Sequence, residues 1–353
     1  MRIETVHPKE LGPVEAALWR AHQVANPDLG SPYLSPIWAH IVGAARADAR
    51  VCVIQGGRGF LGVQRCSRFA AMGLGAPLAD YQGVVSEVGI ELDGAALCRA
   101  LGVGRIDLTA VPAAAGAFSD LGGEEGSWIA DVSAGLDAYR AHQKKHRGKV
   151  MRQTDKRAQK LADEHGEVVL GISGEHAHFE TLMAWKSAQL RASGQPAIWD
   201  KPWVRQVVEA TYAARDPSLS GVFATLTAGG KLIAATYALR GERALHCWLL
   251  GHDNAYDAYS PGMILSRWLV EWAAGQGLAE VDFGVGDYQF KRHLSTGQRM
   301  LRWGCLARPS FSGVVRQAEI GLRARIEKLP NQRLAALPGK AMRRLDLMRA
   351  LAA

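Results

Sequence analysis

Residues 221–283 alternate β-prone runs with one strongly amphipathic helix, an order that few folds accept. Val222-Phe223-Ala224-Thr225-Leu226 and Leu232-Ile233-Ala234-Ala235-Thr236-Tyr237 flank Ala228-Gly229-Gly230-Lys231. Glycine takes positive φ without steric cost, so this spacing predicts a tight hairpin. A turn at Gly241-Glu242 leads to a third strand, Ala244 to Leu250. After a loop, Ile264, Leu265, Trp268, Leu269, Trp272 and Ala273 recur at helical spacing, predicting a helix from Gly262 to about Gly275 with one buried face. Ser260 is a candidate N-cap, Pro261 suits the first helical position, and Gly275 and Gly277 stop the helix. Ala279 to Phe283 reads as a closing strand. Strands that feed a helix returning to a strand build a mixed central sheet flanked by helices, an α/β (α+β) fold.

The first half repeats the hairpin. Val51 to Ile54 and Phe60 to Gln64 flank Gln55-Gly56-Gly57-Arg58-Gly59. Two copies of one architecture are therefore expected, and 353 residues suit two ordinary domains. A basic segment from about Leu136 to His165 reads as a long connecting helix, capped near Ser133 and stopped by Gly166. A helix carrying Phe179, Leu182, Met183, Trp185 and Leu190 opens the second half. The expected division is 1–165, 166–310 and a basic helical tail, 311–353.

Charge is unevenly placed. The net charge is +8, and residues 311–353 hold nine Lys/Arg against three Asp/Glu, leaving the first 310 residues at +2. A second run, Lys144-Lys145-His146-Arg147-Gly148-Lys149, continues to Arg152, Lys156, Arg157 and Lys160. Such clusters attract phosphates, coenzyme A, nucleotides or an anionic membrane face, or serve only as solvated helix faces. The five cysteines (Cys52, Cys66, Cys98, Cys247, Cys305) form no CxxC pair, which favours reduced thiols in a cytoplasmic protein. The opening MRIETVHPKE lacks the apolar core of a signal peptide, and no window approaches about 18 uninterrupted apolar residues. No HExxH, Cys/His cluster, GxSxG or Walker loop occurs, so metal, hydrolase and NTPase chemistry are not expected.

The start of the Trp268 helix carries the first chemical expectation. Free N–H groups and the positive end of the helix dipole suit a pyrophosphate, and Gly262 has no side chain to block approach. An ordinary capped β-α-β unit would look similar.

Beyond this, Tyr259-Ser260-Pro261-Gly262-Met263-Ile264-Leu265, Val281-Asp282-Phe283-Gly284-Val285-Gly286-Asp287 and Tyr288-Gln289-Phe290-Lys291 resemble motifs of the CelD-like GNAT proteins of bacterial polysaccharide synthesis, relatives of the FemABX aminoacyltransferases. Leu78-Ala79-Asp80-Tyr81-Gln82-Gly83 and Trp185-Lys186-Ser187-Ala188-Gln189 extend the likeness, which runs from about Tyr33 to Arg308. Tyr259-Ser260-Pro261-Gly262 departs from the standard GNAT phosphate loop, which is richer in Arg/Gln and Gly. Within the family the likeness is nearest to holdfast or exopolysaccharide N-acetyltransferases.

The resemblance implies tandem GNAT-like domains, the second catalytic. It also implies direct transfer from acetyl-coenzyme A to a sugar amine on a lipid-linked or nucleotide-linked saccharide. Leu249, Leu250, Ser260, Gly262, Met263 and Lys291 would then hold the donor, though Lys291 could instead orient Asp287 or form only an exposed ion pair. A base must free the amine's lone pair. The candidates are Asp287, which could instead cap its turn; Asp282, which could be a satisfied structural carboxylate; and His246, which shares a face with Trp248 if the strand alternates and is otherwise a packed core residue. Tyr259 could protonate the thiolate or anchor the helix start. Asp80, Tyr81, Lys186 and Gln189 are candidates for the acceptor or for a domain contact.

Two other functions compete. A FemABX-type aminoacyltransferase would use tRNA, but the basic helix has no interleaved aromatics for base stacking, which disfavours nucleic acid. A regulatory module would read cyclic di-GMP through Arg323, Arg325, Arg343 and Arg344, since arginines stack on guanine and pair with phosphate. An anionic membrane surface is a further partner for the same tail, placing the protein at the inner membrane's cytoplasmic face.

Overall fold

A computed structural model describes residues 1–115, 118, 121–196, 198–327 and 332–351. In chain order the elements are β1 (Ile3–Val6), α1 (Pro13–Ala25), α2 (Pro36–Ala45), β2 (Ala49–Ile54), β3 (Gly59–Gln64), β4 (Ala70–Gly73), β5 (Val84–Ser86), α3 (Gly94–Ala100) and β6 (Arg105–Pro112). There follow β7 (Gly123–Asp131), α4 (Leu136–His165), β8 (Val168–Ile172), α5 (His176–Ala192), α6 (Pro202–Ala213), β9 (Arg215–Asp216), β10 (Leu219–Ala228), β11 (Lys231–Arg240) and β12 (Ala244–His252). The chain closes with α7 (Pro261–Gly275), β13 (Glu280–Asp282), α8 (Gln289–Leu294), β14 (Gly297–Ala307), α9 (Phe311–Ile326) and α10 (Gln332–Leu351).

These elements form two compact units, Met1–Glu125 with Met300–Ala353, and Gly126–Arg299. In the first, the strand order is β1-β2-β3-β4-β6-β14, with β5 beside β3. In the second it is β7-β13-β12-β11-β10-β8, with β9 beside β10. Each unit repeats one order: strand, two helices, three antiparallel strands, helix, and a strand parallel to the third. β14 lies against β6 in the first unit and β7 against β13 in the second. The duplicated order bears out the tandem architecture expected from the two Gly-Gly hairpins. The basic helix α4, expected with the first domain, lies in the second unit, and the tail helices lie in the first.

Local chemistry accounts for the elements that build the site. Gly229 and Gly230 take φ of +54° and +79° between β10 and β11, the conformation a two-residue hairpin needs. α7 buries Ile264, Leu265, Leu269, Val270 and Ala273 against Leu226, Ile233, Leu245 and Val281 of the sheet, with Trp268 and Trp272 partly buried at its flanks. Each fully buried leucine contributes about 1.5–3 kcal/mol. α4 is long, about 45 Å at 1.5 Å per residue, and bends where Arg147 leaves helical geometry (φ −137°, ψ 18°) just before Gly148. Tyr139 and Gln143 on its first segment both donate to the carbonyl of Leu294, each at 2.9 Å.

In the first unit Arg316 of α9 is buried and donates to Asp107 at 2.9 Å, Asp346 at 2.6 Å and Glu319 at 3.0 Å. The tail is thereby fastened into the unit's polar interior.

Candidate active site

The second unit holds a cleft of about 1440 Å³, lined by segments of α4, α5, β12, the start of α7 and the stretch around α8. Its origin lies in the strand register. β12 pairs with β13 at Ala244, Leu245 and His246 only, whereas its pairing with β11 runs on to His252. From Cys247 onward β12 therefore parts from β13, and the edge so opened forms a wall of the cleft. On the β11 side Tyr237 faces Leu249 while Ala238 faces Cys247, so Trp248 is the extra residue of a β-bulge. A bulge re-aims side chains and sharpens the bend of its strand.

The start of α7 forms the adjoining wall. Ser260 is left-handed (φ 54°, ψ 56°), and its hydroxyl accepts from the Arg157 guanidinium at 2.9 Å instead of capping the helix, contrary to the N-cap expectation. Pro261 has no N–H, and the N–H groups of Met263 and Ile264 both reach the Ser260 carbonyl, at 3.0 and 3.3 Å. Among the described residues the Gly262 N–H has no protein acceptor. A Cβ built on Gly262 would meet Leu250 at 3.4 Å, so the glycine keeps the ground between strand and helix open. One unspent N–H, the helix dipole and a guanidinium converge there, the makings of an anion site.

The expected donor-holding residues Leu249, Leu250, Ser260, Gly262, Met263 and Lys291 all line this cleft, as do Lys186 and Gln189. Lys186 donates to Gln189 at 2.6 Å, and its pKa is lowered first by burial and then by the charge of Lys291. Lys291 is itself buried and donates to the Val285 carbonyl at 2.6 Å.

The expected acid–base residues lie elsewhere. Asp282 is buried, accepting from Ser127 at 2.6 Å and from the Gly284 N–H at 2.7 Å, which is the satisfied structural carboxylate. His246 is buried opposite it, 3.6 Å away, in the packed position. The bulge breaks the alternation by which His246 and Trp248 would have shared a face, and Trp248 alone lines the cleft. Asp287 is exposed and pairs with Arg292 at 3.3 Å, outside the cleft lining. The Tyr259 hydroxyl donates to Glu164 and lies 3.0 Å from His165, anchoring α7 to the end of α4. Its pKa is raised by the bond to Glu164. Asp80 and Tyr81 belong to the first unit, where Tyr81 is buried.

Five lining residues were not assigned to the cleft from the sequence. Lys149, Gln153 and Arg157 recur every fourth residue of α4 and all line the cleft, a row visible as i, i+4, i+8 within the basic run. Trp185 lines it from α5. His252 also lines it, and its Nε2 lies 2.6 Å from Asp257. Among the described residues no group of three or more His, Cys, Asp and Glu could hold a metal ion, and no helix is long and apolar enough to cross a membrane.

Comparison with known proteins agrees with this geometry. Residues 149–292, the stretch that contains the cleft, match the family model of the acetyltransferase (GNAT) domain. No curated protein sequence matches the chain. Among solved structures, FemX aligns with a TM-score of 0.52 at 10% identity, covering 86% of this chain and 96% of FemX. The C-terminal domain of a protein titled as a lysylphosphatidylglycerol synthetase of Agrobacterium fabrum aligns with a TM-score of 0.53 at 11% identity, covering 88% and 96%. A Bacteroides thetaiotaomicron protein of unknown function aligns with a TM-score of 0.51 at 10% identity, covering 86% and 100%. At these identities the likeness is one of fold. With a GNAT domain spanning the cleft and a parted β12–β13 pair at its centre, the chain is an acyltransferase of GNAT fold.

Proposed function

We propose that the protein transfers an acetyl group from acetyl-coenzyme A to the amine of an amino sugar, in the synthesis of an exopolysaccharide or holdfast. The observation that carries the donor reading is the opened edge of β12 from Cys247 to Leu250, ending beside the Gly262 amide and Arg157. An extended chain of amides can add to such an edge, and a pyrophosphate suits the helix start. Trp185 and Trp248 offer apolar faces for a sugar ring, with Lys186 and Gln189 as polar contacts. The likeness of the sequence motifs to CelD-like proteins supports the polysaccharide setting. A lipid-linked acceptor and a cytoplasmic donor meet at the cytoplasmic face of the inner membrane.

In the transfer the amine nitrogen bonds to the thioester carbonyl carbon, the C–S bond breaks, the amine's proton passes to a base, and the thiolate takes up a proton. Of the titratable groups on the cleft, His252 has a carboxylate, Asp257, placed to hold the imidazolium that would form. We assign it the base role ahead of Asp287, Asp282 and His246, none of which lines the cleft.

The test uses purified full-length protein with radiolabelled acetyl-coenzyme A and glucosamine as probe acceptor, against aminoacyl-tRNA as probe donor. Label moving to the sugar amine supports the reading. Transfer from aminoacyl-tRNA alone would instead support the FemABX-type alternative, which the basic side of α4 keeps in view. For the tail, a role with cyclic di-GMP or an anionic membrane surface rests on the exposed Arg325 and Arg344. Arg323 is already engaged, over the Trp303 ring at 3.8 Å and with Glu327 at 2.7 Å, and the side chain of Arg343 lies outside the described residues.

A further inference from the structure

The bend in α4 opens a second depression of about 670 Å³, which shares Lys149, Val150, Gln289 and His293 with the cleft. Lys144, Lys145, Arg147, Lys149 and Arg152 face it from α4, and Arg292 and His293 from α8. No carboxylate lines it. Arg292 alone is compensated, by Asp287; among the described residues the other lysines and arginines of the depression have no carboxylate partner. Like charges crowded at this density repel one another, and a chain that keeps them together is served by an anion that relieves the repulsion. The same field shows in the histidines. The pKa of His293 is lowered by burial and then by Arg147 and Arg292, and that of His142 by burial and then by His146, Arg147 and Lys145.

The bend places these groups. A straight helix turns 100° per residue and would spread Lys144 to Arg152 around its circumference, whereas the break at Arg147 lets both segments face one hollow. No Trp, Tyr or Phe lines the depression, so it lacks the stacking platforms that a single-stranded nucleic acid uses. Its chemistry fits isolated phosphate groups.

We propose that the depression at the α4 bend binds the phosphate or diphosphate of the acceptor, holding a phosphate-bearing saccharide with its amine in the cleft. This rests on the transferase reading above, and it selects a phosphorylated sugar over a neutral one. The same phosphate chemistry could come from coenzyme A, and the test separates the two sources.

Calorimetry on the full-length protein measures binding of inorganic pyrophosphate with coenzyme A saturating, so that the α7 entrance is occupied. It is repeated with Arg147→Glu/Arg152→Glu, both exposed side chains whose reversal leaves packing intact. The expected result is pyrophosphate binding weakened at least tenfold by the reversal, with coenzyme A affinity changed less than twofold. Glucosamine 1-phosphate should then show a lower KM than glucosamine in the wild type and lose that advantage in the variant. Pyrophosphate binding indifferent to the reversal overturns the site. Coenzyme A affinity falling in parallel overturns the acceptor assignment and gives the depression to the donor. A tRNA transcript that displaces pyrophosphate at a hundredfold lower concentration overturns it in favour of RNA. Failure of coenzyme A to bind the wild type would instead count against the donor reading, whatever pyrophosphate does.

Discussion

The residues that settle the chemistry are those whose surroundings leave them one role. Asp282 has its carboxylate committed to Ser127 and the Gly284 N–H in the interior, so its removal strands a buried hydroxyl and amide. We predict that Asp282→Ala lowers stability by about 3 kcal/mol in urea titration. Asp287→Ala, at an exposed ion pair, should leave the unfolding midpoint unchanged. His252→Gln should reduce kcat for acetyl transfer about a hundredfold, the lower end of general-base effects, without moving coenzyme A affinity. If Asp287→Ala proves the slower enzyme, the base assignment to His252 is lost. Arg157→Ala should do the opposite of His252→Gln and weaken coenzyme A binding about tenfold, because it removes the guanidinium at the α7 start.

At the scale of elements, the parting of β12 from β13 and the start of α7 make the cleft. Gly262→Val places branched carbon where a lone Cβ already meets Leu250 at 3.4 Å. The φ of Gly262 is not among the positive values, so the helix tolerates the change. The expected outcome is a folded protein, judged by its melting temperature, whose affinity for coenzyme A falls more than tenfold; retained affinity would move the donor away from this helix. These elements were legible in the sequence because period and punctuation agree there. The Gly229-Gly230 turn, the apolar stripe of α7 and the Gly166 stop behind α4 each follow from a local rule, and all sit within a few residues of where the pattern puts them. The bulge at Trp248 was not legible, since one extra residue leaves the composition of a strand unchanged while reversing which side chains face the cleft. For the same reason His246 read as a possible site residue and is a core one. Arg157 was hidden by its own neighbours. In a run of cations, only the long-range approach of Ser260 distinguishes the one that matters.

At the scale of the whole molecule, Cys52 and Cys98 are buried and Cys66, Cys247 and Cys305 are half-buried. Desolvation disfavours the thiolate and raises the pKa of Cys52, Cys247 and Cys305 to about 12 and of Cys66 and Cys98 to about 11, from an ordinary value of 9.0. A thiol with a raised folded-state pKa contributes stability that is complete below the unfolded value and fades as pH climbs through the folded one. Stability should therefore hold to about pH 9 and fall steadily between 9 and 12, as the unfolded chain sheds thiol protons that the folded chain retains. The buried Tyr139 and Tyr237, whose pKa values are also raised by desolvation, push in the same direction at the upper end. Denaturant midpoints measured across that range would show the decline. A thiol count with a chromogenic disulfide at pH 8 would show slow reaction in the native protein and rapid reaction of all five on unfolding. Cys247 lines the cleft, so it is the thiol whose native reaction coenzyme A should slow further. A fast-reacting Cys247 that coenzyme A fails to protect would contradict the donor's path along β12.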